Sequence, residues 1–282
     1  MLSATDKRLV FRGVLKGDVC RTPASVFDAL SARAAQDIGY EVAVLGGSVA
    51  SLAVLGAPDI ALLTLTDLVE QVRRICRAGD VPLLVDGDHG YGNALNARRT
   101  IEDIEAAGAA AITIEDAALP GAFGSGDTAL ISLRELSGKV RAAADARTDA
   151  SFVLVGRTSA SLAASRAELL ERQSVLHEAG ADAVFVTGVK SLQVLDALAA
   201  GARVPLILGA APQGVSSAEL CERRVRICLA GHQAYFDGVA ATYRRLLQQR
   251  TGAISNDVET KTLVEQLSRA ERYERWAKQF LT

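Results

Sequence analysis

Short apolar runs alternate with longer amphipathic stretches from one end of this chain to the other. The runs at 41–45, 111–114 and 183–186 each follow a glycine (Gly39, Gly108 and Gly180). Glycine stopping a helix just ahead of a strand is the usual helix-to-strand connection. Further strands are expected at 24–27, 81–85, 152–155, 204–208 and 225–229, and 58–63 reads as a short strand or a loop. Helices are expected at 94–107, 133–146, 165–179 and 191–199. Apolar strands alternating with helices imply βα units around a parallel sheet. With no linker between halves, a closed (β/α)₈ barrel of the TIM type is favoured over a doubly wound sheet. The first strand of the latter would more often lead into Gly-x-Gly-x-x-Gly, which is absent here.

Past Gly252 the pattern changes. Residues 261–281 are charged and helical, with Tyr273, Trp276 and Phe280 on one stripe. The expected organisation is a catalytic barrel over 1–250 and a helical tail over 251–282, packed on the barrel or on a neighbouring subunit.

Composition narrows the class. The chain has 282 residues, 49% of them hydrophobic, enough for an extensive core. A net charge of −2 supplies no basic field for nucleic acid or an acidic membrane. The N-terminus lacks the apolar stretch of a signal peptide, and no run of about 18 apolar residues would span a bilayer. Cys20, Cys76, Cys221 and Cys228 have no Cys-x-x-Cys spacing, so reduced, mostly buried thiols and a cytoplasmic location are expected.

The candidate chemistry lies where strands end. Asp86-Gly87-Asp88-His89-Gly90-Tyr91-Gly92 closes one strand and Glu115-Asp116 another. Catalytic groups of an α/β barrel gather at that end. Asp86 and Asp88 share a face of an extended chain. Like charges so close are costly unless a cation lies between them. A hydrated Mg²⁺ suits such oxygen ligands; the rival reading, a solvated acidic turn, is weakened by the second cluster. In Gly46-Gly47-Ser48-Val49-Ala50, glycines let backbone N–H groups approach an anion and Ser48 adds a hydroxyl; a simple tight turn is the alternative. Arg157, in the Gly156-Arg157-Thr158-Ser159 run that closes another strand, is suited to a two-point grip on a carboxylate or to a bridge with a local acid. His232 follows the last strand and suits acid–base chemistry or donation to an anion. His89 reads as a turn residue or a donor to groups around the metal, and His177 as solvent-facing.

Together these positions resemble the isocitrate lyase/phosphoenolpyruvate mutase superfamily, in order over nearly the whole chain. The carrying segments are Gly46–Ala50, Ala57-Pro58-Asp59, Asp86–Asn93, Ile114-Glu115-Asp116 and Gly156-Arg157-Thr158. Within the superfamily the chain is most similar to the oxaloacetate decarboxylase branch, on 24–28, 88–96, the 119–124 loop and 231–236.

The resemblance implies Mg²⁺, with Mn²⁺ as a substitute, bound directly by Asp86 and through water by Asp59, Asp88 and Glu115. It implies that Ser48, the neighbouring amides of Gly47 and Val49, and Arg157 grip the carboxylate of a 2-keto diacid. His232 then faces the reacting end, and His232 and Arg157 are the catalytic pair. The implied reaction is decarboxylation of oxaloacetate to pyruvate and CO₂ through an enolate held by the metal. A last helix exchanged between subunits of a homotetramer, a dimer of dimers, is also implied.

Two departures stand out: Ser159 where the family often has Asn or Asp, and the small residues of Gly209-Ala210-Ala211-Pro212-Gln213. A Lys-Lys-Cys-Gly-His-type loop of the lyases that cleave isocitrate is absent, and 117–123 is apolar where the phosphonate branches carry polar gating residues. Both favour decarboxylation. The alternatives are a C–C lyase on a substituted malate or methylisocitrate-like acid, a phosphonopyruvate-type C–P enzyme, and a barrel that binds keto acids with little turnover.

Overall fold

The computed structural model describes residues 1–124, 128–252 and 259–282. Its strands are β1 (Ala24–Ser25), β2 (Ala43–Leu45), β3 (Leu83–Asp86), β4 (Ala111–Glu115), β5 (Val153–Ser159), β6 (Ala183–Thr187), β7 (Leu206–Leu208) and β8 (Val225–Cys228). They form one parallel sheet in sequential order. Arg21 pairs with Ile227 in the same sense. Arg21 N donates to Arg226 O at 2.8 Å and Cys228 N donates to Arg21 O at 2.9 Å, so the sheet closes on itself ahead of β1.

The helices are α1 (Ala4–Lys16), α2 (Ala29–Ile38), α3 (Gly47–Leu55), α4 (Leu65–Cys76), α5 (Ala94–Ala106), α6 (Leu133–Asp145), α7 (Arg166–Glu178), α8 (Leu192–Gly201), α9 (Ser217–Glu222), α10 (Gln233–Thr251), α11 (Thr260–Leu267) and α12 (Ala270–Phe280). Local chemistry sets their ends. Asn93 caps α5 by accepting from Leu95 N and Asn96 N, and Gly39 ends α2 at φ 94°, a conformation costly for any residue with a Cβ.

Strand side chains alternate between two cores. Val44, Leu84, Ala111, Val153, Val155, Phe185, Ile207 and Ile227 point into the barrel, joined by Phe11 and Leu15 of α1, which plugs its N-terminal end. Leu45, Val85, Ile112, Ile114, Leu154 and Val186 point outward against the helices. The barrel is thus packed below and can open only above, at the strands' C-terminal ends.

Every expected strand is present, with shifted ends. β5 runs through Ser159 instead of stopping near 155, because both neighbours pair with it: Glu115 opposite Arg157, and Ser159 opposite Thr187. Residues 58–63 form a loop. His177 is not solvent-facing as the sequence suggested: it is half-buried, with Nδ1 shielded and without a hydrogen-bond partner.

The tail beyond α10 turns back, with α11 against α10 and α12 after it. Tyr273 and Trp276 meet edge to face at 5.3 Å between ring centroids. No residue of α12 is buried, and Trp276 and Phe280 are 40% and 59% exposed, so this chain's own barrel does not cover the aromatic stripe. The last residues reach the loop after β4, where Gly124 N donates to Leu281 O at 2.8 Å.

Candidate active site

Extending the inward-facing residues two positions up each strand names the site. Above Leu84 stand Asp86 and Asp88; above Ala111, Thr113 and Glu115; above Val155, Arg157; above Phe185, Thr187; above Ile207, Gly209. Most of these residues, with Gly46, Gly47, Ser48, Asp59, Leu229 and His232, line a cavity of 190 Å³ at the barrel mouth. A second cavity of 550 Å³, roofed by α11, adjoins it through Ser48 and Asp59. Another cavity, of 910 Å³, lies on the flank around Phe27, Arg33 and Arg74 and contains none of the site residues.

The same alternation splits Glu115 from Asp116. Glu115 faces the barrel. Asp116 faces out and is buried, accepting from Thr158 Oγ1 at 2.8 Å and pairing with Arg172 Nη1 at 3.1 Å. It is a strut between β4 and α7 rather than part of the acidic cluster.

Arg157 Nη1 donates to both carboxylate oxygens of Asp86 at 2.7 Å, and Nε lies 3.1 Å from Glu115 Oε2. Thr113 Oγ1 donates to Asp86 Oδ1 at 2.9 Å and Gly47 N to Oδ2 at 3.4 Å. The bridge to local acids is therefore the contact Arg157 makes here, and its guanidinium stacks 5.4 Å from the Phe185 ring. Burial works to raise the Asp86 pKa, but the Arg157 charge and these hydrogen bonds outweigh it, so Asp86 stays ionised.

Asp88 and Glu115 differ. Burial, then repulsion from Asp86, Asp59 and Glu115, pushes Asp88 up to about 8. Burial, with Asp86 adding repulsion against the attraction of Arg157, pushes Glu115 up to about 7. One guanidinium does not neutralise this cluster.

The turn after β3 holds Asp88 in place. Asp88 and Tyr91 have φ of 45° and 59°, uncommon for residues with side chains. Glu115 N donates to Asp88 O at 2.8 Å, Gly90 N closes on Gly87 O at 2.9 Å, and Lys139 of α6 donates to His89 O at 2.9 Å. His89 is buried with Nδ1 unpartnered, and it serves the turn through its carbonyl. Asp59 is exposed on the loop after α3, which Ser51 Oγ tethers through Ala57 O and Pro58 O at 3.1 Å each.

Gly46 and Gly47 have no room for a side chain. A Cβ on Gly46 would lie 2.6 Å from His232 Cε1 and 2.7 Å from Nε2; one on Gly47 would lie 2.7 Å from Asp88 Oδ1. Gly46 also caps α3 without a side-chain bond, so the first-turn N–H groups of Ser48 and Val49 take no capping side chain, while Gly47 N reaches Asp86.

His232 precedes α10, and its side chain takes no part in capping that helix. Its Nδ1 lies 2.7 Å from Ser25 Oγ at the end of β1. Burial lowers its pKa despite the opposing charge of Asp86, so the ring is neutral near pH 7.

The donor set fits a hard divalent cation. Three neighbouring carboxylates and Asp59 face one region, where burial and mutual repulsion push Asp88 up to about 8 and Glu115 up to about 7. Among the described residues no three His, Cys, Asp or Glu side chains form a direct ligand cage. Mg²⁺, which keeps several waters and takes one or two carboxylates directly, suits this arrangement better than a cation needing a full protein shell.

Of the site residues expected from the sequence, Asp59, Asp86, Arg157, Gly47, Ser48 and His232 line the two adjoining cavities. Glu115 reaches them through Arg157 and Asp88 stands beside Gly47, while Val49 is buried. The sequence reading missed Thr113 and Thr187, which alternation from the apolar positions would have shown, and Ser25 as a partner of His232, which no local pattern signals.

Comparison with known proteins places this geometry. Residues 16–250 match the family described as phosphoenolpyruvate phosphomutase. The chain is 48% identical to an oxaloacetate decarboxylase of Rhodopseudomonas palustris (strain BisA53), covering 95% of this chain and 93% of that protein. It is also 48% identical to an oxaloacetate decarboxylase of Bradyrhizobium sp. (strain BTAi1 / ATCC BAA-1182), over 88% and 86%. Among solved structures, 2,3-dimethylmalate lyase superposes with a TM-score of 0.77 at 26% identity, over 99% of each chain. Phosphonopyruvate hydrolase in complex with oxalate and Mg²⁺ gives 0.77 at 27%, over 98% of this chain and 99% of that one. By the match across its barrel, the chain belongs to the phosphoenolpyruvate phosphomutase family, within the phosphoenolpyruvate mutase/isocitrate lyase superfamily.

Proposed function

We propose that this protein is a Mg²⁺-dependent oxaloacetate decarboxylase, a carboxy-lyase that releases pyruvate and CO₂. The observation that carries the reading is the lining of the 190 Å³ cavity, where Asp59, Asp86, Arg157 and the start of α3 meet Thr187 and His232 among apolar Val44, Leu84, Phe185 and Leu229. A 2-keto diacid suits such a cavity, with its keto-acid end gripped and its far carboxylate in surroundings that favour neutral CO₂. Relatives at close to half identity bear the same name.

Asp86, Asp88, Glu115 and Asp59 would hold Mg²⁺ and its waters, and Mn²⁺ suits the same oxygens. The bound cation would act as a Lewis acid on the keto group. The Gly47, Ser48 and Val49 amides at the start of α3, with the Ser48 hydroxyl, would bind the first carboxylate. Arg157 remains charged beside Asp86 and Glu115, fixing the orientation of the acids and of the bound keto acid. The C3–C4 bond breaks, its electron pair passes to the C2–C3 enolate, CO₂ departs and C3 takes a proton. His232 would donate through Nε2 to the departing carboxylate or supply that proton.

The barrel over 1–250 carries the site, and the tail over 251–282 supplies an assembly surface. Exposed Trp276 and Phe280 support a last helix seated on a neighbouring subunit in a dimer-of-dimers homotetramer. Free cysteines fit a reducing cytoplasm. Among the described residues no helix is long and apolar enough to cross a membrane.

A panel of 2-keto and 2-hydroxy diacids tests the substrate class. Oxaloacetate is expected to have the highest kcat/KM. Faster cleavage of a substituted malate or of phosphonopyruvate would overturn the reading.

A further inference from the structure

We propose that Ser25 is a positioning residue that holds the proton of the neutral His232 ring on Nε2, so that the ring presents a donor to the substrate. The inference rests on the decarboxylase reading for the donor's purpose. It rests on geometry alone for the tautomer.

Ser25 Oγ and His232 Nδ1 are 2.7 Å apart across 207 residues of sequence. Ser25 stands opposite Val44 in the β1–β2 ladder, held by Ala24 N on Val42 O at 3.0 Å and Val26 N on Val44 O at 2.9 Å. Its side chain therefore points into the barrel mouth. Just beyond, the Phe27 ring meets Tyr235 of α10 edge to face at 5.1 Å, fastening the end of β1 to the first turn of the helix that follows His232. Gly46, against Cε1 and Nε2, leaves the ring no room to move toward β2. Three elements thus fix one ring orientation.

A neutral imidazole has one donor and one acceptor, and the bond at one nitrogen decides which is which. At Nδ1 the partner is a hydroxyl, able to give a proton. Nε2 is the nitrogen that Ser25 leaves free, and His232 lines the cavity that also holds Asp86, so an N–H is favoured there and a lone pair is opposed. Both sides select the same tautomer: Ser25 donates to Nδ1, and Nε2 carries the hydrogen. In the other tautomer Nε2 would present a lone pair to the departing carboxylate of oxaloacetate and repel it.

Ser25→Ala removes the hydroxyl and Ser25→Thr keeps it. The chain has three histidines, so ¹⁵N-histidine labelling gives few ring signals, and loss of one set in His232→Gln assigns His232. In wild-type protein without substrate the His232 signals are expected to report Nε2–H, and in Ser25→Ala a mixture of tautomers. With oxaloacetate and Mg²⁺, Ser25→Ala is expected to lose about 10- to 100-fold in kcat, the scale of a lost orienting partner, with KM changed far less. Ser25→Thr is expected to restore both the tautomer and kcat. Unchanged ring signals in Ser25→Ala, or equal kcat losses in the Ala and Thr variants, would overturn the proposal. If wild-type protein decarboxylates nothing, the decarboxylase reading fails, and the substrate-free ring signals still decide the role of Ser25.

Discussion

Arg157 Nη1 sits 2.7 Å from each carboxylate oxygen of Asp86, a single nitrogen spanning both acceptors inside the barrel mouth. With the cation stripped by chelator, this guanidinium is the positive charge against which Asp86 stays ionised. Arg157→Ala is expected to cost about 3–5 kcal/mol of stability in chelator, the scale for one partner left alone in a buried pair. Saturating Mg²⁺ should recover part of that loss. Urea unfolding with and without Mg²⁺ measures both, and an equal loss in the two conditions would argue that the cation does not approach Asp86. Arg157→Lys should retain more stability yet lose kcat/KM, since a point charge does not reproduce the planar fork.

The protons on Asp88 and Glu115 make metal-free stability depend on pH. Each acid has a folded pKa above its ordinary value: Asp88 at about 8 against 3.8, and Glu115 at about 7 against 4.5. The folded protein therefore holds protons that the unfolded chain has released, and this contribution to stability, full below pH 3.8, is lost as pH rises toward 8. In chelator, wild-type Tm should fall from pH 5 to pH 8 more steeply than that of Asp88→Asn. Mg²⁺ should flatten the wild-type curve. Parallel curves for the two proteins would show that Asp88 carries no such proton.

Adjacent glycines separate two functions. Gly46→Ala would drive a methyl against the His232 ring, whereas Gly47→Ala would drive one against Asp88 Oδ1. The first should lower kcat with Mg²⁺ affinity retained; the second should weaken Mg²⁺ binding. Calorimetric titration of Mg²⁺ beside steady-state kinetics reads the split. The same defect in both variants would point to a general disturbance of α3.

Neighbouring acids separate site from scaffold in the same way. Glu115→Gln should reduce Mg²⁺ affinity with the fold retained. Asp116→Ala should lower stability by about 1–3 kcal/mol, because Arg172 loses a buried partner but keeps Glu168, with Mg²⁺ affinity in the folded protein little changed. Thermal unfolding and Mg²⁺ titration of both variants check this, and weakened Mg²⁺ binding in folded Asp116→Ala would return Asp116 to the site.

Much of this was readable from the chain because β strands alternate and helices announce their ends. The eight strands, the Gly46-Gly47 approach and the acids at 86, 88 and 115 follow from local pattern. Contacts made across the barrel did not. Arg157 read as a residue past a strand's end, but pairing on both sides carries β5 through it and aims it at Asp86. Glu115 and Asp116 read as one cluster, although adjacent strand residues face opposite ways. Ser25 was invisible because its partner arrives from the other end of the chain, when barrel closure brings β8 beside β1. The half-buried His177 was missed because helical spacing alone does not show how deeply one position sinks between neighbours.

Product analysis tests the central claim most directly. Purified protein, oxaloacetate and Mg²⁺ are compared with the same mixture lacking protein and with Asp86→Ala, which separates enzymatic turnover from the slow metal-promoted background. Wild-type protein is expected to release pyruvate and CO₂ in equal amounts, with the enhancement abolished by chelator and by Asp86→Ala. Acetate with oxalate in place of pyruvate, or no rate above background while oxalate still binds, would contradict the decarboxylase account.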